Sequence, residues 1–331
     1  MNHNQLKIAL GKLTFSNKLK SFSKPISRLA PTPSGYLHLG NAFSFILTWL
    51  IVRRLEGKLH LRIDDLDSAR LKRDCLEDIF IQLDWLGLDY DSGPQGPDEH
   101  LKHYSQKFRI ENYLEALSSL REIGSLYACR CSRKQYLAIS EDGLYPKTCR
   151  NKNLDLDQPE VTWRFKSDSV PKSNKDSYGG VTDDQRFAKP LGDAVLLRRN
   201  GSTSYQIGSL VDDMIDQPNL IVRGADLYPS SMFQISMAEK LGWTFFSEIF
   251  FIHHSLLKDS TGKKYAKSEG AYSLKDLKQE NADPSFIYRG VAIWLGLPDS
   301  NVHDLKSLQD VFSMIPLKQF LEMNLENYPI R

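Results

Sequence analysis

A segment containing two prolines, two glycines and a histidine leads from the end of the first predicted strand to the first predicted helix. We expect the strand over residues 26–31 and the helix over 41–55. The prolines stiffen the chain as it leaves the strand, and Gly35 and Gly40 let the backbone approach a ligand closely. Because a helix N-terminus attracts anions, His38 and this N-terminus are predicted to bind phosphate groups. In isolation, the same residues would also fit an ordinary strand–helix connection.

Strands and helices alternate along the chain that follows. The hydrophobic pattern predicts a strand over 59–63 and an amphipathic helix over 75–86. A further helix is expected over 103–123, and further strands over 194–197 and 220–222. This alternation predicts an α/β fold with a Rossmann-like parallel sheet.

Composition narrows the class of protein. The 331 residues are 41% hydrophobic and 25% charged, which is typical of a soluble globular chain. The longest apolar run, 42–52, is too short to cross a bilayer, so we expect a core helix and no membrane association.

Cys75 lies in a helical pattern and is expected to be buried, whereas the other three cysteines cluster. Clustered cysteines favour a reducing compartment with a metal site over a disulfide framework, so we predict a cytoplasmic protein.

The loop and its flanks resemble the signature of a known enzyme family. Residues 28–41 resemble the HIGH signature of class I aminoacyl-tRNA synthetases, and the flank Ala-Pro-Thr-Pro-Ser-Gly resembles their glutamyl branch. Residues 264–268, Lys-Tyr-Ala-Lys-Ser, resemble the family's KMSKS loop at positions one, four and five. The resemblance implies a class I catalytic core that uses ATP, with Mg²⁺. It implies catalytic roles for His38, Gly40, Lys264 and Lys267, and ATP binding by His38, Gly40, Asn41 and Lys267.

Four side chains are candidates for binding an amino acid. Arg28 lies on the first strand, Asp64 ends the second, Arg223 ends a later strand, and Tyr205 offers a hydroxyl. Arginine can bind a carboxylate through two parallel hydrogen bonds, and sites form at the carboxyl ends of parallel strands. Structural ion pairs and a core tyrosine would be the alternative interpretation. The resemblance to glutamyl-type enzymes implies L-glutamate as the substrate and adds Ala30, Pro31 and Thr32 to its binding site.

Two positions depart from the glutamyl pattern. Asp64 stands where glutamyl-type enzymes usually carry Glu and the glutaminyl branch carries Asp, but Ala30 and Thr32 follow the glutamyl pattern. Ala266 replaces the serine of the KMSKS loop. Asp64 and Ala266 would also fit a non-catalytic paralogue that binds RNA or glutamate. A nucleotidyltransferase that makes a small metabolite is a further alternative, disfavoured by the two arginines.

A cluster of cysteines is expected to bind zinc. Cys129 and Cys131 are separated by one residue, and Cys149 follows within 21 residues. Tetrahedral zinc prefers four ligands. From the residues alone, the fourth ligand could be Glu141, Asp142, Tyr145 or water. The spacing resembles the zinc module of glutamyl-queuosine tRNA(Asp) synthetases, and this resemblance implies that Tyr145 is the fourth ligand of one structural zinc.

The predicted organisation has three parts. Residues 1–25 form a basic N-terminal extension with five lysines and no acid, which would suit a solvated arm, a tRNA-contacting arm or a transit peptide. Residues 26–275 form the catalytic core, with a zinc-bearing insertion at about 110–190. Residues 276–331 form a helical tail that is too short for a full anticodon-binding domain.

The short tail favours one RNA substrate. The glutamyl-queuosine family transfers glutamate to the queuosine base of tRNA(Asp), and such an enzyme needs no separate anticodon-binding domain. The predicted partners are therefore queuosine-containing tRNA(Asp), L-glutamate and ATP. Because the net charge is only +2, RNA binding would need a local basic surface. The residues that could provide it are Arg130, Arg133, Lys134, Lys258, Lys263 and Lys264. A truncated synthetase that charges the 3′ end of a tRNA is the alternative.

Overall fold

The structure is a computed structural model that describes part of the chain. It describes residues 24–67, 71–167, 191–257, 273–280 and 283–316, together with the backbone of 178–179. The predicted lysine loop, with Lys264 and Lys267, lies outside the described residues, as does nearly all of the N-terminal extension.

Eight short strands and a series of helices make up the described chain. The strands are β1 (Ile26–Leu29), β2 (Lys58–Leu61), β3 (Leu126–Cys129), β4 (Thr162–Phe165), β5 (Tyr178–Gly179), β6 (Val195–Leu197), β7 (Leu220–Gly224) and β8 (Phe250–His254). The helices are α1 (Leu39–Arg54), α2 (Arg73–Trp85), α3 (Ile110–Glu122), α4 (Arg133–Leu137), α5 (Tyr205–Asp216), α6 (Tyr228–Leu241), α7 (Thr244–Glu248), α8 (Leu274–Glu280), α9 (Ser285–Trp294) and α10 (Leu305–Met314). Short turns of other helix types include a π-helical turn (His100–Tyr104) and a 3-10 turn (Gln106–Arg109).

The strands that hold the predicted glutamate-binding arginines belong to parallel pairs. β1 pairs with β2 in parallel, and β8 pairs in parallel with both β7 and β5. The Asn219 amide donates to the Ile26 carbonyl at 3.0 Å, and the Asn219 side chain accepts from the Ile26 amide at 2.8 Å. These bonds place the start of β7 beside the start of β1, so both strands run toward one edge of the sheet. The predicted parallel α/β architecture is confirmed.

Helix α1 is the centre of the main hydrophobic core. Its apolar run is almost fully buried, as predicted for a core helix. The same core includes Val291 and Trp294 of α9 and Phe312 of α10, and Phe43 contacts Trp294 edge-on with ring centroids 5.6 Å apart. The described part of the predicted helical tail therefore packs into the core of the parallel sheet. No described helix combines the length and apolar character needed to span a membrane.

A separate antiparallel sheet lies between β2 and β7 in the chain. Strands β3, β4 and β6 form this sheet, with Leu126 opposite Phe165 in the β3–β4 pair. Buried side chains of this sheet join a second core with α3, α5 and α6, which includes Tyr113 and Phe233. The sheet ends at Cys129, so the predicted cysteine cluster lies at one end of an inserted unit.

One predicted element was wrong at its beginning. The helix expected over 103–123 begins at Ile110, whereas the other predicted elements begin and end within two residues of the observed ones. Ser105 has an extended ψ of 139° that breaks the helical path. The backbone amide of Gln106 instead donates to the Asp65 carboxylate at 2.8 Å. This long-range hydrogen bond overrides the local helical pattern.

Candidate active site and metal centre

A cleft of about 610 Å³ opens where β1, β2 and β7 end. Strand ends and the loop before α1 supply its polar side chains, and the first residue of α5 supplies a hydroxyl. The cleft brings together most of the predicted ATP- and glutamate-binding residues: Arg28, Ala30, Thr32, His38, Gly40, Asn41, Asp64, Tyr205 and Arg223. Pro31 is buried and does not line it.

The segment before α1, which was predicted to bind phosphate groups, is the nucleotide loop, and its histidine caps this helix. His38 has an extended backbone, and its amide donates to Asn41 Oδ1 at 3.0 Å. The Asn41 side chain therefore fixes the start of α1, in addition to its predicted role in ATP binding. A Cβ atom on Gly40 would lie 2.9 Å from Cε1 of the His38 ring. Glycine is needed at this position because any side chain would displace the ring.

The described residues on either side of the predicted lysine loop lie at the cleft or contact a residue that lines it. Before it, Leu257 lines the cleft. After it, Ser273 forms an antiparallel bridge with His38. The Lys275 ammonium donates to the Tyr36 hydroxyl at 3.0 Å and lies 4.4 Å from the centre of that ring. The nucleotide loop is thus joined to the segment that follows residue 272.

Arg223 is a buried cation with neutral partners. It is 4% exposed, and its guanidinium donates to Ser231 Oγ at 2.5 Å and to Gln234 Oε1 at 3.2 and 3.3 Å. The guanidinium lies 4.9 Å from the centre of the Phe251 ring. It forms no ion pair with any carboxylate of the described residues, and burial lowers its pKa. A buried cation without a counter-ion would be stabilised by an anionic ligand in the cleft.

Arg28 and Asp64 are held by neighbouring charges. Arg28 Nε donates to Asp213 Oδ1 at 3.0 Å, and Arg62 Nε donates to Asp64 Oδ1 at 2.7 Å. The Asp64 amide donates to the Pro31 carbonyl at 2.9 Å, so Pro31 orients the acid without lining the cleft. Burial raises the pKa of Asp64 to about 6 even though Arg62 acts in the opposite direction.

The charged side chains behind the cleft were not predicted from the sequence. Three aspartates of α5 (Asp212, Asp213 and Asp216) form ion pairs with Arg28, Arg62 and Arg109. A signal was present, since acids at positions i, i+1 and i+4 of an otherwise apolar helix lie on neighbouring faces and need buried partners. Their partners could not be identified without the fold.

The three clustered cysteines fit a tetrahedral metal site. The sulfur atoms of Cys129, Cys131 and Cys149 lie within 4.8 Å of one another. The Tyr145 hydroxyl lies 3.2 Å from the Cys129 sulfur and 3.6 Å from the Cys131 sulfur, and the Cys131 and Cys149 sulfurs are 3.5 Å apart. Zinc with Zn–S bonds of about 2.3 Å places its sulfurs about 3.8 Å apart in a tetrahedron. The three sulfur atoms and the Tyr145 hydroxyl therefore lie close enough together to share one zinc ion.

The structure separates the alternatives for the fourth ligand. The Asp142 carboxylate accepts from the Leu144 amide at 2.9 Å and from the Ser140 hydroxyl at 3.1 Å. Among the described residues, no carboxylate joins the three sulfurs in a metal-sized group. Tyr145 is thus the side chain whose placement suits the fourth position. Cys75 is buried in α2 and stands apart from the cluster, as predicted.

Comparisons with known proteins agree with this architecture. The family of tRNA synthetases class I (E and Q), catalytic domain, matches residues 26–325. The chain is 36% identical over 287 residues to the glutamyl-Q tRNA(Asp) synthetase of Symbiobacterium thermophilum, with 82% of this chain and 87% of that protein covered. It is 33% identical to the protein of the same name from Nitratidesulfovibrio vulgaris, with 82% of this chain and 87% of that protein covered.

Glutamate–tRNA ligases are also similar. Glutamate–tRNA ligase 2 of Syntrophus aciditrophicus is 30% identical, with 89% of this chain but 62% of that longer protein covered. Among solved structures, a glutamate tRNA ligase from Elizabethkingia meningosepticum superimposes with a TM-score of 0.64 at 21% identity. That superposition covers 89% of this chain and 65% of the ligase chain. At this identity, the likeness supports the fold alone.

We predict that the purified protein contains about one zinc per chain, because the four donor atoms match a tetrahedral site. Removing one thiolate with Cys149→Ser should release the metal, whereas Cys75→Ser should retain it. Elemental analysis of the three proteins measures the zinc directly.

Tyr145→Phe should weaken zinc retention against a chelator, and Asp142→Asn should not. Equal retention by Cys149→Ser and the unmutated protein would show that the cluster is not a zinc site.

Proposed function

This chain belongs to the class I tRNA synthetases of the E and Q group, and from that premise we propose that it activates L-glutamate with ATP and transfers it to tRNA. The enzyme is a ligase of the aminoacyl-tRNA synthetase type. The choice of amino acid rests on the buried Arg223. Its side chain lines the cleft and forms no ion pair with a carboxylate of the described residues. An amino acid whose side chain ends in a carboxylate supplies a counter-ion.

Each charge of glutamate has a partner in the proposed complex. The side-chain carboxylate lies at Arg223 and Arg28, with the Tyr205 hydroxyl beside it. The ammonium group lies at Asp64, whose carboxylate lines the cleft together with these two arginines. The backbone of Ala30 and Thr32 borders the substrate. The α-carboxylate then faces the nucleotide loop, where the reaction occurs.

The activation step needs positioning more than proton transfer. An oxygen of the α-carboxylate attacks the α-phosphorus of ATP, and the bond from that phosphorus to the bridging oxygen of pyrophosphate breaks. The carboxylate is already ionised at neutral pH, so no general base is required. His38, Gly40 and the N-terminus of α1 are proposed to bind the phosphates, with Mg²⁺ accompanying ATP. Lys264 and Lys267 are proposed to stabilise the leaving pyrophosphate.

We further propose that the acceptor is queuosine in tRNA(Asp). The support comes from the glutamyl-Q tRNA(Asp) synthetases, which match over 87% of their own length, whereas the glutamate–tRNA ligase of Syntrophus matches over 62%. Residues 129–152 also contain six cations and two acids, a local net charge of +4, and the whole chain carries only +2. Exposed cations of this kind suit an RNA backbone. They are Arg130, Arg133, Lys134, Lys147 and Lys152.

The basic surface and the cleft are distinct features. Arg130 lines a second, open groove together with Cys131 and Lys152, and it does not line the ATP and glutamate cleft. The basic surface therefore belongs to the segment that contains the three clustered cysteines, residues 129–152, which is the cysteine module. One structural zinc in this module and a cytoplasmic location are part of the same proposal, because thiolate ligands need a reducing compartment.

Replacing Arg223 tests the choice of amino acid. Arg223→Gln should raise the KM for glutamate at least about tenfold, because a charged hydrogen bond contributes about 1.5 kcal/mol or more. Glutamate-dependent ATP–pyrophosphate exchange measures this, with Arg121→Gln as the control, since Arg121 pairs with Asp157 on the surface. Glutamine and aspartate should support much weaker exchange. Faster exchange with glutamine than with glutamate would refute the assignment.

The buried Asp64 predicts a pH dependence. Burial raises the pKa of Asp64 to about 6, so the acid is protonated below this pH and cannot pair with an ammonium group. Glutamate keeps both carboxylates ionised down to about pH 4.3. The kcat/KM for glutamate should therefore be constant above about pH 7 and fall about tenfold per pH unit below pH 6. Exchange assays from pH 5 to 8 should show the inflection in the unmutated enzyme and not in Asp64→Asn.

The acceptor is tested with labelled glutamate and tRNA(Asp) prepared with and without queuosine. We expect label on the anticodon fragment after nuclease mapping, and only when queuosine is present. A basic-surface variant, Arg133→Ala with Lys134→Ala, should lower transfer but leave pyrophosphate exchange unchanged. Label on the 3′ fragment would instead identify a synthetase that charges the tRNA end, and exchange without any transfer would contradict both acceptors.

A further inference from the structure

Helix α5 carries three buried or nearly buried carboxylates with different sets of partners. Asp212 accepts from Arg109 Nη1 at 2.9 Å, from the Tyr113 hydroxyl at 2.8 Å and from Gln106 Nε2 at 2.6 Å. Asp216 accepts from Arg109 Nη2 at 2.8 Å and from Arg62 Nη1 at 3.1 Å. Arg109, Tyr113 and Gln106 do not line the cleft. These bonds tie α5 to the chain segment that precedes and forms α3.

Asp213 is the aspartate of α5 that forms an ion pair directly with a cleft residue, Arg28. Its side chain is fully buried, and its Oδ1 atom accepts from Arg28 Nε at 3.0 Å and from Arg62 Nη1 at 2.7 Å. Arg62 Nε in turn donates to Asp64 Oδ1 at 2.7 Å. One carboxylate oxygen therefore links Arg28 directly, and Asp64 through Arg62. Asp213 and Arg62 do not line the cleft, whereas Arg28 and Asp64 do.

We propose that Asp213 is a positioning residue for amino-acid binding, which sets the orientation of both Arg28 and Asp64. This inference rests on the proposed function. Because Nε of Arg28 is engaged by Asp213, the terminal nitrogens of the guanidinium remain available for a carboxylate. Because Arg62 is held by Asp213 at 2.7 Å and more weakly by Asp216 at 3.1 Å, it fixes one oxygen of Asp64 and leaves the other oxygen for an ammonium group.

The negative charge of Asp213 is essential to this arrangement. Two buried guanidinium groups repel each other unless an anion lies between them. Burial alone would raise the pKa of Asp213, but Arg28 and Arg62 outweigh burial and lower it to about 2. The carboxylate is therefore ionised at every pH at which the enzyme would work. An asparagine would keep the shape but remove the negative charge that offsets the two guanidinium groups, and its neutral oxygen would accept weaker hydrogen bonds from them.

Asp212 offers a matched control. It is the neighbouring residue on the same helix, it is equally buried, and Asp212→Asn makes the same chemical change. A general effect of removing a buried charge from α5 would appear in both variants. A positioning effect on the cleft would appear in Asp213→Asn alone.

The experiment compares the unmutated full chain with Asp213→Asn and Asp212→Asn. The readouts are the KM values for glutamate and ATP in pyrophosphate exchange, glutamate binding by calorimetry, and the melting temperature. Asp213→Asn should raise the KM and Kd for glutamate about tenfold or more, since charge-assisted hydrogen bonds are lost, with the KM for ATP nearly unchanged. Asp212→Asn should lower the melting temperature with little effect on glutamate.

Several outcomes would overturn the proposal. Equal glutamate KM values for the two variants, or an unchanged value for Asp213→Asn, would show that Asp213 acts only in folding. If Asp213→Asn does not fold, the Arg62→Lys variant is measured in its place. Lysine keeps the positive charge, but it has a single ammonium group in place of the two guanidinium nitrogens that contact Asp213 and Asp64. If the unmutated protein binds glutamate but shows no pyrophosphate exchange, the proposed activation is refuted. The role of Asp213 is then tested by comparing the Kd for glutamate of the unmutated protein and the variants. An unmutated protein that does not bind glutamate would contradict both.

Discussion

The need to neutralise buried charge organises this site. Arg28 and Arg62 are buried and share the carboxylate of Asp213, and Asp64 is buried against Arg62. Arg223 lies at the same cleft with a serine and a glutamine as its hydrogen-bond partners. Transferring an unpaired charge from water into a protein interior is costly. Arg223 forms no ion pair with a carboxylate of the described residues, and a substrate carboxylate is proposed as its counter-ion.

The fold brings these charges together through strand order. Because β1 and β7 begin side by side and end at one edge, Arg28 and Arg223 reach the same cleft although 194 residues separate them in the chain. Helix α1 begins at that edge and anchors the main core, so the nucleotide loop is fixed at its N-terminus. The cysteine module is built on a separate antiparallel sheet.

The sequence predicted the cleft well because its residues follow strand ends and turns. Arg28, Asp64 and Arg223 were identified in this way, and all three line the cleft. The supporting charges were missed because their partners are remote: Asp213 is 185 residues from Arg28 and 151 residues from Arg62. The helix expected from residue 103 failed for the same reason, since a hydrogen bond to Asp65 determines the path of the chain. Local patterns locate surfaces and elements, whereas buried ion pairs depend on the assembled fold.

The most direct test of the account is a crystal structure of the protein with bound L-glutamate. The account predicts that the side-chain carboxylate lies within hydrogen-bond distance of the Arg223 guanidinium, with the ammonium group at Asp64 and the α-carboxylate toward His38. Glutamate bound with its α-carboxylate at Arg223, or bound outside the cleft with Arg223 still lacking an anion, would contradict it.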